Sequence, residues 1–341
     1  MHTDHTPLAG GIHCETSTLR VLFAGAGIDL SEPMLFGLGS GLSFVYWDSR
    51  RQPAPFIGGR VKPFEIARSV AVRCGVDLDV HETASPRLAW EKVRGALDQG
   101  LAVGLQLDSY YLEYFTSRVH FAGHFAAIIG YDDRSAHLVD TAQQGGRVST
   151  SLDSFAQARS ARGPMSARNR SFTVHAGPPR DLSSSIVDAV TATAVAYLNP
   201  PIANVGGRGV RTAARKLPAW LDRVADPSTD LPLIASLMER GGTGGGLFRT
   251  LYRDFLVEAR DVVAPDLAEA EAAAWGESID LFAESAVLWT RAAELIEAAG
   301  REREPRLLAE ASTVLNTIAD RETTAMERLR TLEHRSVRPR L

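Results

Sequence analysis

The chain has 341 residues, 45% of them apolar and 23% charged, and its 37 basic and 41 acidic residues leave a formal charge of −4. Such a chain buries two cores without disulfide staples and is not disordered throughout. A mildly acidic sequence without a Lys/Arg run lacks the footprint for a phosphate backbone, so nucleic acid is set aside as a partner.

No apolar run approaches the roughly 18 to 20 residues that span a bilayer, and the start, Met1-His-Thr-Asp-His-Thr-Pro, has no basic segment followed by an apolar one. The expectation is a cytoplasmic protein with no membrane partner. In a reducing compartment Cys14 and Cys74, which match no zinc spacing, read as free thiols.

In chain order, Leu19, Leu22, Phe23 and Ala26 share one helical face, with Gly25 and Gly27 able to end the helix, so a helix opens near Cys14. The loop Gly37-Leu-Gly-Ser-Gly-Leu lacks the following Lys-Ser/Thr of a nucleotide cradle, and its glycines are read as permitting close packing beside that helix. Cys74 falls at the end of a helix, where the dipole gives no activation. Residues 101–107, 124–130, 136–140 and 171–175 are compact apolar runs of strand length, and Tyr131-Asp-Asp-Arg-Ser joins the second to the third as an antiparallel hairpin. Asp132 and Asp133 are turn residues. The basic stretch Arg159 to Arg170 is either a docking surface for an acidic partner or a solvated charge run.

Composition changes at Gly177-Pro-Pro-Arg-Asp-Leu-Ser-Ser-Ser, where paired prolines end a strand and serines can cap a helix. The expected domains are therefore 1–177 and 181–341. The second is read as all-helical, with helices near 182–198, 208–224, 230–240, 246–262, 265–297 and 303–333. Its glycine loop at 241–246 precedes a helix carrying Arg249 and Arg253, which is either an anion site or a turn with solvated arginines.

The chemistry gathers around Cys14. At a helix N-terminus its sulfur meets unpaired N–H groups and the positive dipole end, which favour thiolate; the plainer reading is a small buried hydrophobe. His124 begins one hairpin strand and Asp140 ends the next, so antiparallel pairing brings both to one end of the sheet. A carboxylate there can hold the imidazole in one tautomer while the other ring nitrogen faces a thiol. Asp108 competes with Asp140 for that role. Asp108, Tyr110, Tyr111 and Tyr114 either line a pocket for a cationic acceptor or form a loop packed on the core. His2, His5, His13 and Cys14 match no metal pattern, and His120 and His124, about 13 Å apart along a strand, should not share an ion. No metal site is expected.

The segments His13-Cys14-Glu-Thr-Ser-Thr-Leu-Arg-Val-Leu-Phe, Leu30 to Trp47, Asp108-Ser-Tyr-Tyr-Leu-Glu-Tyr and Gly123-His-Phe-Ala-Ala-Ile-Ile-Gly-Tyr-Asp-Asp resemble the N-terminal domain family of butirosin biosynthesis protein H, over about residues 11–176. The helical half, with Gly242-Thr-Gly-Gly-Gly-Leu-Phe-Arg-Thr-Leu-Tyr-Arg-Asp-Phe-Leu256, is similar to a domain of unknown function that accompanies it. The resemblance implies an α+β fold: a papain-like domain of N-terminal helix plus antiparallel sheet, followed by an all-α domain. It also implies an acyltransferase that moves an aminoacyl group from an acyl carrier protein thioester to an amine-bearing small molecule. Carried over, the nucleophile is Cys14, the base His124 and the orienting acid Asp140.

No cofactor is required, phosphopantetheine being carried by the donor protein. The chain departs from papain-like enzymes in having no glutamine shortly before the cysteine; the Cys14 N–H can supply one oxyanion donor, with His13 a candidate for the second. The helical half would cover the cleft, recognise acceptor or carrier, or mediate a homodimer. Two other readings remain: a hydrolase, amidase or peptidase, using the same triad, and an inactive papain-like binding module.

Overall fold

In a computed structural model, which describes residues 10–49, 52–116, 119–163, 165–166, 168–239, 241 and 244–332, burial of Leu19, Leu22 and Phe23 on one face makes helix α1, Cys14–Gly25. Gly27, at φ +78°, closes it in the left-handed conformation that suits glycine. The chain continues through α2 (Glu32–Leu38), β1 (Leu42–Trp47), β2 (Phe56–Arg60), α3 (Glu65–Cys74), β3 (Asp77–His81) and α4 (Pro86–Asp98). It then runs through β4 (Val103–Leu107), β5 (His124–Tyr131), β6 (Ser135–Val139), β7 (Arg147–Ser151), α5 (Leu152–Ser160) and β8 (Ser171–His175).

Six of these strands form an antiparallel sheet in the order β3-β8-β4-β5-β6-β7. Strand β5 is buried on both sides: Ala127 and Ile129 meet Val21 of α1, whereas Ala126 and Ile128 meet the cluster containing Val93, Leu97, Phe155 and Ala158 of α4 and α5. That double burial is why the segment reads as an unbroken apolar run. Edge strands β3 and β7 gave no such signal, because they are polar and largely exposed, as in Asp77-Leu-Asp-Val-His. The β5–β6 turn is tied by Asp132, whose Oδ1 accepts from the N–H groups of Arg134 and Ser135, both at 2.8 Å.

The remaining helices are α6 (Leu182–Leu198), α7 (Gly206–Lys216), α8 (Trp220–Arg223), α9 (Pro227–Glu239), α10 (Gly246–Val263), α11 (Glu269–Glu302) and α12 (Pro305–Leu329). They follow the helical stretches anticipated from the sequence, except that the one near 208–224 is broken after Lys216 by a short 3-10 turn containing Pro218.

The chain forms two compact units. One holds Lys62–Arg180 and the described residues up to Leu35; the other holds Phe36–Val61 and the described residues from Asp181 onward. Residues 36–61, kept with the first half in the sequence reading, thus lie with the helices. The reason is aromatic: Phe36 stacks on Phe248, Phe44 on Trp289 and Tyr46 on Trp220, with ring centroids 5.6, 5.5 and 6.3 Å apart. Gly37 packs where a side chain would strike the ring of Phe255, so its close approach serves α10 and not, as anticipated, the helix that begins at Cys14.

Within the helical unit, Arg249 is fully buried and makes paired hydrogen bonds to Glu322 at 2.8 and 2.9 Å. Ser285 and Trp289 also donate to Glu322, as does Tyr197, and the guanidinium lies 4.8 Å from the Trp289 ring. Burial disfavours both charges, but each is held ionised by the other, Arg249 upward and Glu322 downward. Arg249 is therefore neither an anion site nor a solvated arginine. Arg253 pairs with Asp254, and residues 242 and 243 of the glycine loop lie outside the described residues.

Candidate active site

Two glycines bring the cysteine to the sheet. A side chain on Gly10 would lie 2.0 Å from the carbonyl oxygen of Asp140, and one on Gly11 would overlap the Glu32 carboxylate. Their absence lets the segment before α1 run against the 140–142 backbone, where the Ala142 N–H donates to the Gly11 carbonyl at 2.8 Å. Glu32 fixes the next residues, accepting from the N–H groups of Ile12 and His13 and from the Thr16 hydroxyl at 2.8, 3.1 and 2.8 Å. Helix α1 then starts at Cys14, a partly exposed thiol whose own N–H, in the first turn, has no intrahelical acceptor.

His124 opens β5 and Asp140 follows β6, and the hairpin brings them into contact: Nε2 of His124 lies 2.7 Å from Oδ2 of Asp140. The other ring nitrogen, Nδ1, is left free of Asp140, and the Cys14 side chain is close enough to add to the ring's preference for its charged form. Burial works against a charged His124; the Asp140 charge and hydrogen bond, followed by the Cys14 contacts, outweigh it and push the imidazole up to about 10. Asp140 is saturated with donors. Besides His124, its Oδ2 accepts from the Tyr114 hydroxyl at 2.7 Å, and its Oδ1 accepts from the Thr141 N–H at 2.6 Å. Burial and the adjoining carboxylate hold the Tyr114 hydroxyl well above its ordinary range, so it remains a donor. Phe115 packs edge-on against the His124 ring, centroids 5.0 Å apart.

The other anticipated residues fall elsewhere. His13 is buried at the start of α1, with its ring Nδ1 3.1 Å from the Thr16 hydroxyl oxygen. Asp108 does not reach His124: its Oδ1 accepts from the N–H groups of Tyr110 and Phe121, and its Oδ2 lies 2.9 Å from Nδ1 of His120. Tyr110 stacks on His120, and Tyr111 packs against the core cluster beneath α4 and α5. Of these tyrosines, Tyr114 is the one that joins the Asp140 carboxylate. His120 and His124 thus serve different carboxylates, and His2 and His5 lie outside the described residues. Cys74 is the last residue of α3, and burial raises its thiol to about 11.

The stretch from Arg159 to Arg170 divides, with Pro164 and Ala167 outside the described residues. Arg159 is buried over the Phe155 ring and donates to the carbonyls of Ala89 and Asn169, while Arg170 bonds Glu82 and Gln106, so for these two neither docking nor solvation holds. Sequence reasoning missed Glu32 and the roles of Gly10 and Gly11. The glycine pair beside the cysteine was the available signal, but its partners lie about 20 and 130 positions away.

Helix, antiparallel sheet and the helical unit that follows define an α+β protein whose first part has the papain-like arrangement. Residues 13–141 match the family described as butirosin biosynthesis protein H, N-terminal, and residues 153–329 match a domain of unknown function (DUF4872). The second match spans more than half of the chain, which belongs to that family. No curated protein matches it. Among the described residues, no helix is long and apolar enough to cross a membrane.

Proposed function

We propose that this chain is a cysteine-dependent acyltransferase that moves an acyl or aminoacyl group from a carrier-protein thioester to an amine, in the biosynthesis of a natural product. The observation that carries the reading is a buried imidazole, His124, bonded to the Asp140 carboxylate and beside the Cys14 thiol at the start of a helix, which we read as a relay. An imidazole favoured in its protonated form keeps the proton that the thiol gives up, and the helix N-terminus favours the sulfur's negative charge. The thiolate attacks the thioester carbonyl; the Cys14 N–H donates to the developing oxyanion; His124 returns its proton to the departing donor thiolate. An amine then attacks the acyl-enzyme, His124 takes a proton from its nitrogen, and Cys14 leaves as thiolate.

A thioester is already activated, which suits a site whose donors include no glutamine beside the cysteine. The match of residues 13–141 to a family named for butirosin biosynthesis supports a role in antibiotic chemistry. The test is intact mass after incubation with a simple acyl thioester. An acyl adduct on Cys14 that persists until an amine is added supports transfer; release at the same rate without amine makes the chain a hydrolase; no adduct, with biological activity unchanged in Cys14→Ala, makes it a binding module.

A further inference from the structure

A second histidine–aspartate pair stands at the same end of the sheet as the first. Leu107 and His124 are register partners at the ends of β4 and β5, and Asp108 follows directly after Leu107. The Asp108 side chain is 5% exposed, and its Oδ2 lies 2.9 Å from Nδ1 of His120. His120 differs from His124 in one respect: its side chain is 60% exposed, against 8%. Exposed imidazoles are seldom held still, since ordering them costs side-chain entropy. This one is held twice, by Asp108 and by the Tyr110 ring stacked on it with centroids 3.9 Å apart. With Nδ1 directed at a carboxylate, the tautomer that leaves a lone pair on Nε2 is fixed, and the ring is open to solvent.

The chemistry of transfer has one proton more than His124 can hold. An aliphatic amine with a lysine-like pKa near 10.4 is neutral in roughly one molecule in a few thousand at pH 7, so the acceptor arrives as an ammonium and must lose two protons. His124 is buried and takes one. We propose that His120, backed by Asp108, takes the first proton from the ammonium acceptor and passes it to water. This assignment rests on the acyltransferase reading above.

The step balances. Nε2 of His120 accepts one proton from R–NH3+ and releases it to solvent. The nitrogen lone pair then forms the C–N bond to the acyl carbon, the C–S bond to Cys14 breaks with its electron pair going to sulfur, and the second nitrogen proton goes to His124. The products are the amide, the Cys14 thiolate and protonated His124. Four residues of chain set an upper limit of about 13 Å between His120 and His124, and the Asp108 that holds His120 follows the register partner of His124.

The test uses the full chain with S-acetyl-N-acetylcysteamine as donor and two acceptors, 1,3-diaminopropane, which is protonated at pH 7, and hydroxylamine, which is largely neutral. His120→Gln keeps a polar partner for Asp108 but cannot accept a proton. The expected result is a 10- to 100-fold slower transfer to the diamine, with formation of the acyl-enzyme and transfer to hydroxylamine within about threefold of wild type. His120→Ala should behave alike and recover with added imidazole, which guards against misfolding of a single variant. Equal slowing with both acceptors, or no slowing with either, overturns the assignment while leaving the acyltransferase reading standing. A wild-type protein that takes up no acetyl group overturns that reading and this one with it.

Discussion

Asp140→Asn tests the relay at its base. The carboxylate accepts three hydrogen bonds, from His124, Tyr114 and the Thr141 N–H. An amide has one oxygen and one NH2, so in either orientation it sets a donor against a donor. If the oxygen stays with Thr141, the NH2 faces Nε2, which must become the acceptor; Nδ1 then carries the proton and points it at Cys14, and the thiol has no base. With the Asp140 charge gone, burial also acts unopposed by it on His124. The rise of that imidazole from 6.5 to about 10 corresponds to about 5 kcal/mol in favour of the protonated ring at 1.36 kcal/mol per unit. That sum, to which Cys14 also contributes, is of the size of three to four decades in rate. Asp140→Asn should therefore slow acylation of Cys14 by about 10³- to 10⁴-fold, measured by quenched-flow intact mass with an acyl thioester. Asp108→Asn should leave that first step within a few-fold. A folded Asp140→Asn protein that acylates within tenfold of wild type would refute the relay.

Gly10→Ala should slow acylation at least tenfold, because the new methyl meets the Asp140 carbonyl, which is backbone and cannot swing aside; Gly25→Ala, with open space around it, should leave both rate and melting temperature unharmed. Arg249→Ala should cost about 3 to 5 kcal/mol in denaturant melts by leaving Glu322 charged and buried, and Arg249→Met with Glu322→Leu should recover much of the loss. Because the folded pKa of His124 lies above its unfolded value, its contribution to stability is complete below pH 6.5 and lost as pH rises through about 10. The stability gap between wild type and His124→Gln should accordingly narrow by up to about 1.4 kcal/mol per pH unit across that window, and a gap that is flat or widens there contradicts the ion pair.

The parts of the site legible in the sequence are those encoded over short distances. The helix at Cys14 announces itself by its apolar spacing, and the hairpin carrying His124 and Asp140 by two apolar runs around a polar turn. What was not legible depends on segments meeting in space. Tyr114 is one tyrosine of several until the fold sets its hydroxyl on Asp140. Glu32 is the first residue of a helix, and nothing local reveals that its carboxylate reaches back over Ile12 and His13. Arg249 beside glycines read as either an anion site or a solvated arginine because the glutamate that binds it stands 73 positions later. Strands β3 and β7 failed for the opposite reason: as edges they bury little, so no apolar run marks them.

The path of the backbone has a practical consequence. It leaves the first unit after Leu35, returns at Lys62 and departs again after Arg180, so three peptide connections tie the units and no single cut frees either. A fragment ending at residue 180 would keep the β1–β2 hairpin but strip Phe36, Phe44 and Tyr46 of Phe248, Trp289 and Trp220, baring three aromatic faces worth roughly 1.5 to 3 kcal/mol of burial each. Recombination that swaps one half of such a gene for a foreign counterpart would have to exchange the inserted hairpin as well, which couples the inheritance of the two halves.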